Sequence, residues 1–544
     1  MKDFNLDNRR YVIGGVAILI VVVYIVRLFM FQLVSDDYRK SADSNAFLKR
    51  IEFPSRGVIR DRNGKLLVFN QPAYDIMVVM NEAKGRLDTL DLCQTLGITK
   101  EYFVKRMDDI KDRSKNPGYS RFTQQLFMSQ INDKDYSVFQ EKMFRFPGFY
   151  VQKRTVRQYE YPYAAHVLGD VGEVSPSDIE DDEYYQAGDY IGKLGIERSY
   201  EKELRGEKGV QILLRDAHGR IQGQYQHGRF DRRPRAGRDL TLGLDINLQA
   251  TAERMLEGKI GAIVAIDPQT GQVLCMASSP SYDPRLLEGH NRSKYHSYLS
   301  RDTWKPLLNR AIMGQYPPGS TFKTTQGLTF LSEGIINGHT VFPCHRGFSY
   351  KGLHVGCHSH PSPLAIVPAI STSCNGFFCW GLYYMLSNRR KYPTVQDAMN
   401  TWRDYMVSMG FGYKLGIDLP GEKRGLIPNA SFYDKAYHGS WNGLTVISIS
   451  IGQGEVNLTP LQIANLGATI ANRGYYYVPH VVKAIQGEPL DTLYTRRHYT
   501  RANRRAYDLI VAGMRSSAMG GTCRLLGSLP FAACGKTGTA QNRG

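Results

Sequence analysis

The chain has 544 residues, a net charge of +18 and a hydrophobic content of 42%. That length exceeds what one compact core supports and implies more than one domain. Its eight cysteines follow no repeating spacing, which excludes a small disulfide-framework protein, and the chain holds no internal repeat or low-complexity tract.

Residues 11–34, from Tyr11 to Val34, form an apolar run interrupted only by Arg27 and Gln32. A run of this length spans a bilayer as a helix. A cleaved signal peptide would have a shorter apolar core followed by small residues, whereas Ser35-Asp36-Asp37-Tyr38-Arg39 follows here. The segment therefore reads as an uncleaved transmembrane helix after a ten-residue tail. Lys2, Arg9 and Arg10 precede it, and Arg39, Lys40, Lys49 and Arg50 follow it, so charge alone does not orient it.

Residues 35–235 mix Tyr-rich charged segments with short β-like runs such as Tyr74 to Met80, and read as a non-catalytic, elongated α+β pedestal. The polar stretch from His227 to Arg238 reads as a linker. A second domain, residues 236–544, opens with Leu240-Thr241-Leu242 and a helix from Ile246 to Leu256. β-branched runs on either side of Asp267-Pro268-Gln269-Thr270-Gly271 predict a hairpin. With the helices that follow and a last strand at Lys536, the pattern suits an antiparallel sheet between helices. The basic stretch Arg496, Arg497, Arg501, Arg504 and Arg505 fits an anionic lipid or substrate as well as a plain solvated face. Nucleic acid is set aside, since the chain pairs an anchor with no recognisable nucleic-acid module.

Three short motifs carry the chemistry. Gly314-Gln315-Tyr316-Pro317-Pro318-Gly319 cannot be helical, and a helix begins at Ser320-Thr321-Phe322-Lys323. Ser320 thus sits at a helix N-terminus, where free N–H groups favour a developing oxyanion, and Lys323 lies one turn on along the same face. A serine needs a base to become a nucleophile, and a buried lysine can supply one near neutral pH. Ser373-Cys374-Asn375 follows an apolar stretch and precedes Phe377, Phe378 and Trp380. Its hydroxyl and amide at i and i+2 can enter one cleft, the first relaying a proton and the second holding Lys323. Lys536-Thr537-Gly538 reads as a strand in which Gly538 lets a substrate backbone approach, Lys536 adds charge and Thr537 binds a carboxylate. Each motif alone has a plain structural explanation: a capping Ser, a Ser/Asn turn, an edge strand. Their joint order points to serine acyl transfer.

Between the first two motifs lie Cys344-His345 and Cys357-His358-Ser359-His360. Zinc held by Cys344, Cys357, His358 and His360, a Cys344–Cys357 disulfide, and free thiols all remain open from the spacing.

The three motifs, the segment Arg56-Gly57-Val58-Ile59-Arg60-Asp61-Arg62-Asn63-Gly64, the run Ile191-Gly192-Lys193-Leu194-Gly195-Ile196-Glu197-Arg198 with Tyr200, and Gly452-Gln453-Gly454 with Thr459-Pro460-Leu461-Gln462 together resemble the class B penicillin-binding proteins, in particular their elongation type. The resemblance runs from the anchor to the last residues. It implies a monofunctional D,D-transpeptidase that cross-links peptidoglycan stem peptides through Ser320 and is acylated by β-lactams. It implies an oxyanion hole from the N–H groups of Ser320 and Thr539. It places the tail in the cytoplasm and the bulk of the chain in the periplasm, on the inner membrane. It implies a membrane glycosyltransferase and other elongation proteins as partners, and no required cofactor, although some elongation-type members are thought to hold zinc near the Cys/His region. Other readings on the same fold are a D,D-carboxypeptidase or β-lactamase using water, which the missing deacylating Glu motif disfavours, and a scaffold or sensor without catalysis. The family normally continues well past Gly538, so the chain is expected to be truncated and the Lys536 strand to be a bare sheet edge.

Overall fold

A computed structural model describes the chain except residues 1–6, 30–46, 84–86, 117–118, 132, 187, 216–220, 290–291 and 541–544. A helix covers Asp7–Phe29. Its segment Tyr11–Phe29 has a mean hydropathy of 2.7 and none of it is buried against the rest of the protein. At 1.5 Å per residue those 19 residues reach about 28 Å, close to the hydrocarbon thickness of a bilayer. The expected end of the span, residues 30–34, lies outside the described residues.

The pedestal is organised by one long strand, Leu66–Val79, paired antiparallel with Phe149–Tyr159 along most of its length and with Gln124–Ile131 at its far end. Helices Thr89–Leu96, Lys100–Lys111 and Asp133–Lys142 cover that far end around Ile76, Val78, Phe103, Phe127, Phe139 and Phe149. Near its start, Leu66–Val79 pairs with Ile59–Arg60, which pairs in parallel with Leu240–Leu242, which in turn pairs with Val482–Ile485. One sheet therefore crosses residue 235, and Ile59, Val68, Leu240, Leu242, Val481 and Val482 share one core beneath it. The stretch 227–238 is tied down along the strand Gly209–Arg215 of a neighbouring sheet: backbone pairs join Val210 to Arg232 and Glu207 to Arg235.

Charged groups lock the same junction. Arg56 reaches Glu197 and Glu201 at 2.7 Å each, and Arg157 meets the other Glu197 oxygen at 2.7 Å. Burial pushes the Glu197 carboxyl up, but Arg157 and Arg56 outweigh it and hold it below its ordinary value. Two segments far apart in sequence, around Arg56 and around Gly192–Arg198, are thus the two halves of one buried ion cluster. Gly57 completes the fit: a Cβ there would stand 1.8 Å from the Arg238 carbonyl oxygen. Tyr200 donates to Asp418 at 3.0 Å, and Asp418 also receives the N–H groups of Val481 and Val482.

The C-terminal half is mainly helical. The hairpin Gly261–Ile266 with Val273–Ser279 forms as expected, closed by the Gly271 N–H on the Asp267 carbonyl at 2.8 Å, and helix Ile246–Met255 packs on it. Helix Lys323–Ser332 runs through the centre of the domain, wrapped by Asn375–Ser387, Val395–Ser408, Pro460–Ala471 and Arg504–Gly520 around Phe322, Phe330, Phe378, Trp402 and Tyr507. The sheet expectation is met only in part. Lys536 is not in a strand: residues 532–540 form no ladder with any described strand. Their polar groups go elsewhere, the Gly535 N–H to the Met514 carbonyl at 3.1 Å and the Ala533 carbonyl to Arg515 at 2.9 Å. Helix Arg504–Gly520, not the hairpin, holds the segment in place.

Candidate active site

Proline sets the approach to Ser320. After Pro317-Pro318, Gly319 takes φ +57°, and a tight 3₁₀ turn Gly319–Phe322 leads into helix Lys323–Ser332. Only glycine fits at 319: a Cβ would lie 2.4 Å from the Thr539 carbonyl oxygen and 3.1 Å from the Thr539 nitrogen. On the other side, the Gly319 N–H donates to the Gly452 carbonyl at 2.9 Å, and a Cβ on Gly452 would stand 2.2 Å from the Gly319 oxygen. The turn bearing half-buried Ser320 is thereby clamped between Gly452 and Thr539. Gly538 packs on the same turn, its Cβ position 2.9 Å from Thr321 Cγ2.

Lys323 is 0% exposed. Its three ammonium donors go to the Ser373 carbonyl at 2.6 Å, Ser373 Oγ at 3.2 Å and Asn375 Oδ1 at 2.5 Å. Burial lowers its pKa to about 8, against smaller raising effects from nearby thiols. About a tenth of it is then neutral at pH 7.

Helix Ile366–Ser371 delivers Ser373, which adopts φ +57°, a costly conformation for a non-glycine residue and one that recurs at functional sites. Its Oγ stands between two ammonium groups, 3.2 Å from Lys323 and 2.8 Å from Lys536. Both lone pairs of that oxygen are occupied, which leaves its proton for a third group in the cleft. Asn375 opens helix Asn375–Ser387 and donates its side chain to the Gly356 carbonyl at 2.7 Å. Burial, then repulsion from Lys323, lowers the Lys536 pKa to about 7. Thr537 meets Thr522 hydroxyl to hydroxyl at 3.1 Å.

Next to this cleft, Cys344, Cys357, His360 and Cys374 bring their ligand atoms within 4.8 Å of one another. The expected set changes in one member. His358 is exposed, its Nδ1 3.9 Å from Cys357 Sγ, and falls outside the group. Cys374 takes its place because the second motif turns back under the Gly347–Tyr350/Leu353–Gly356 hairpin. None of the eight cysteines is paired, so the Cys344–Cys357 disulfide is not formed. His360 Nδ1 lies 2.7 Å from the Pro361 carbonyl, which orients the ring so that Nε2 faces Cys357 Sγ at 3.4 Å. The Cys374 thiol, the Asn375 N–H and His360 together hold the Cys357 thiol down to about 4, while Cys344 and Cys374 are pushed up. Three thiols and one oriented imidazole match the closed tetrahedral set of a structural zinc site.

The sequence motifs named every residue of the cleft except Thr522 and Gly356. Cys374 was legible only as the interior of the second motif; its nearness to the other cysteines is a tertiary fact.

Residues 51–242 match the penicillin-binding protein dimerisation domain and residues 261–544 the penicillin-binding protein transpeptidase domain. The chain belongs to the class B penicillin-binding proteins. Among curated members, the peptidoglycan D,D-transpeptidase MrdA of Acinetobacter baumannii is 33% identical over 99% of this chain and 80% of its own length. MrdA of Escherichia coli is 30% identical over 99% of this chain and 86% of its own. Among solved structures, the penicillin-binding protein PBP2 of Helicobacter pylori, in complex with MreC, superposes with a TM-score of 0.74 at 26% identity, covering 91% of this chain and 90% of that one. PBP2 of Pseudomonas aeruginosa in complex with WCK 5153 gives a TM-score of 0.65 at 26% identity, covering 91% of this chain and 86% of its own. The class B assignment agrees with the shared sheet, the Arg56–Glu197 lock and the three motifs gathered in one cleft.

Proposed function

We propose that this penicillin-binding protein is a peptidoglycan D,D-transpeptidase of the elongation type, acting through Ser320. The observation that carries the reading is the bonded series Lys323–Ser373–Lys536 set beside the Ser320 turn. Ser320 Oγ attacks the penultimate D-Ala carbonyl of a donor stem peptide while its proton passes to neutral Lys323 Nζ. Negative charge builds on the carbonyl oxygen, which the N–H groups of Ser320 and Thr539 stabilise as an oxyanion hole. As the C–N bond breaks, Ser373 hands a proton to the departing D-Ala amine and is resupplied from the lysine side. Asn375 holds Lys323, while Lys536 and Thr537 bind the terminal carboxylate. Gly538 keeps the wall thin enough for the substrate backbone. An amine of a second stem peptide then attacks the Ser320 ester, forms the cross-link and frees Ser320. A β-lactam enters the same path and stays as a long-lived acyl-enzyme.

No cofactor enters these steps. Zinc on Cys344, Cys357, His360 and Cys374 would serve as a structural brace for the second motif, because Cys374 belongs to it and Cys357 accepts the Asn375 N–H at 3.2 Å. The apolar helix supports a single-pass membrane anchor, and the likeness to the MrdA transpeptidases supports an inner-membrane enzyme with its catalytic domain in the periplasm. Elongation proteins are the expected partners, including a membrane glycosyltransferase; the MreC complex of the Helicobacter pylori relative supports this.

A fluorescent penicillin tests the reading. It should modify one residue, Ser320, with slow release. Label retained by Ser320→Ala would refute the nucleophile, and rapid turnover of the penicillin would move the chain to the hydrolytic alternatives.

A further inference from the structure

The turn that follows helix Arg504–Gly520 brings Thr522 to the mouth of the cleft, where no sequence motif pointed. Its Oγ1 lies 3.1 Å from Thr537 Oγ1, and both side chains are exposed to the cleft. The backbone beneath it is anchored: the Thr522 N–H donates to the Ser371 carbonyl at 3.2 Å, two residues from Ser373. Gly521 allows that approach, since a Cβ there would stand 2.4 Å from the same oxygen. Fully buried Ser517 meets the Thr522 hydroxyl from behind at 3.2 Å. The side chain is thus aimed from a rigid base while its hydroxyl remains open to the cleft.

The charge around it is unbalanced. Among the described residues, the charged or titratable neighbours acting on Lys536 are Lys323 and Cys523, with no carboxylate of the protein among them. Two ammonium groups meeting at Ser373 Oγ without an acidic partner call for an anion from outside. Two hydroxyls about 3 Å apart present one proton to each oxygen of a carboxylate, and charge-assisted hydrogen bonds of this kind are the strong ones.

We propose that Thr522 is a specificity-determining residue that, with Thr537, seats the terminal carboxylate of the donor peptide. This rests on the transpeptidase reading above and names how that site selects its substrate. When the carboxylate arrives, the Thr537–Thr522 hydrogen bond opens, and each hydroxyl turns its proton to one carboxylate oxygen beside Lys536.

The test uses the full chain and two thioesters of benzoyl-D-alanine, one with thioglycolate and the other with its methyl ester. Acylation of Ser320 is followed for both, and the ratio of the acid rate to the ester rate is the readout. Thr522→Val should lower that ratio about tenfold, the size expected for one hydrogen bond to a charged group. The loss should fall on binding of the acid, and Thr522→Ser should restore the ratio. An unchanged ratio in Thr522→Val, whether both rates hold or both fall together, overturns the proposal and leaves the transpeptidase reading standing. Failure of the thioglycolate thioester to modify Ser320 in the unaltered chain removes that reading and this one with it.

Discussion

The backbone N–H of Asn375 donates to Cys357 Sγ at 3.2 Å, while the side chain of the same residue receives Lys323 Nζ at 2.5 Å. One residue therefore joins the thiol cluster to the general base. Purified chain is expected to carry one zinc, and a strong chelator should lower Tm by several degrees, since a structural metal contributes directly to folding. His360→Ala should lose the metal and His358→Ala should keep it. Elemental analysis finding no zinc, or equal retention in both variants, would sink the assignment.

Acylation should depend on pH through Lys323. Burial lowers its pKa to about 8, so the neutral, proton-accepting form grows as pH rises. The acylation rate at limiting β-lactam should rise from pH 6 and level off above about 8. Burial and repulsion from Lys323 hold Lys536 lower still, to about 7, so it is largely neutral over the range in which Lys323 gives up its proton. Lys536→Gln should therefore lower the rate while leaving the midpoint of the rise close to its original pH. A midpoint moved by about one pH unit or more would contradict this electrostatic ordering. The two lysines share Ser373 Oγ, so the measured midpoints belong to the pair.

The Arg56–Glu197–Arg157 cluster predicts a large stability effect far from the cleft. Glu197 is 0% exposed and faces two guanidinium groups. Glu197→Gln leaves both without their common counter-ion, and breaking a buried pair by removing one partner costs about 3–5 kcal/mol. Urea unfolding should show that loss. A change below about 1 kcal/mol would mean that solvent or a neighbour such as Glu201 relieves the charge.

The cleft could be read from sequence because its chemistry sits in short, ordered motifs with local structural causes. Prolines before Ser320 start a helix, and i+3 spacing puts Lys323 on its face. The hairpin at Asp267–Gly271 was legible for the same reason, as a local turn between β-branched runs. The relation between Arg56 and Glu197 was not, because both motifs read only as family signatures until the fold brought them 2.7 Å apart. Cys374 in the thiol cluster and Thr522 beside Thr537 likewise depend on segments meeting across the fold. The Lys536 strand failed as an expectation because its extended, apolar approach satisfies a strand pattern, while its hydrogen bonds go to helix Arg504–Gly520. Local pattern gives conformation; it does not give the partner.

Ser373 allows strain and chemistry to be separated. At φ +57° any residue with a Cβ is strained, and glycine is not. Ser373→Gly should therefore be more stable than Ser373→Ala by about 1 kcal/mol, measured by urea unfolding. Both variants remove the oxygen that Lys323 and Lys536 share, so both should acylate with penicillin about 100-fold or more slowly, in the range of a lost proton relay. If Ser373→Gly acylated at the normal rate, Ser373 would be a turn residue and the relay would have to run through Lys536 or water. If Gly and Ala were equally stable, the left-handed backbone at this position would carry no strain, and the fold would not be holding Ser373 in place against a conformational cost.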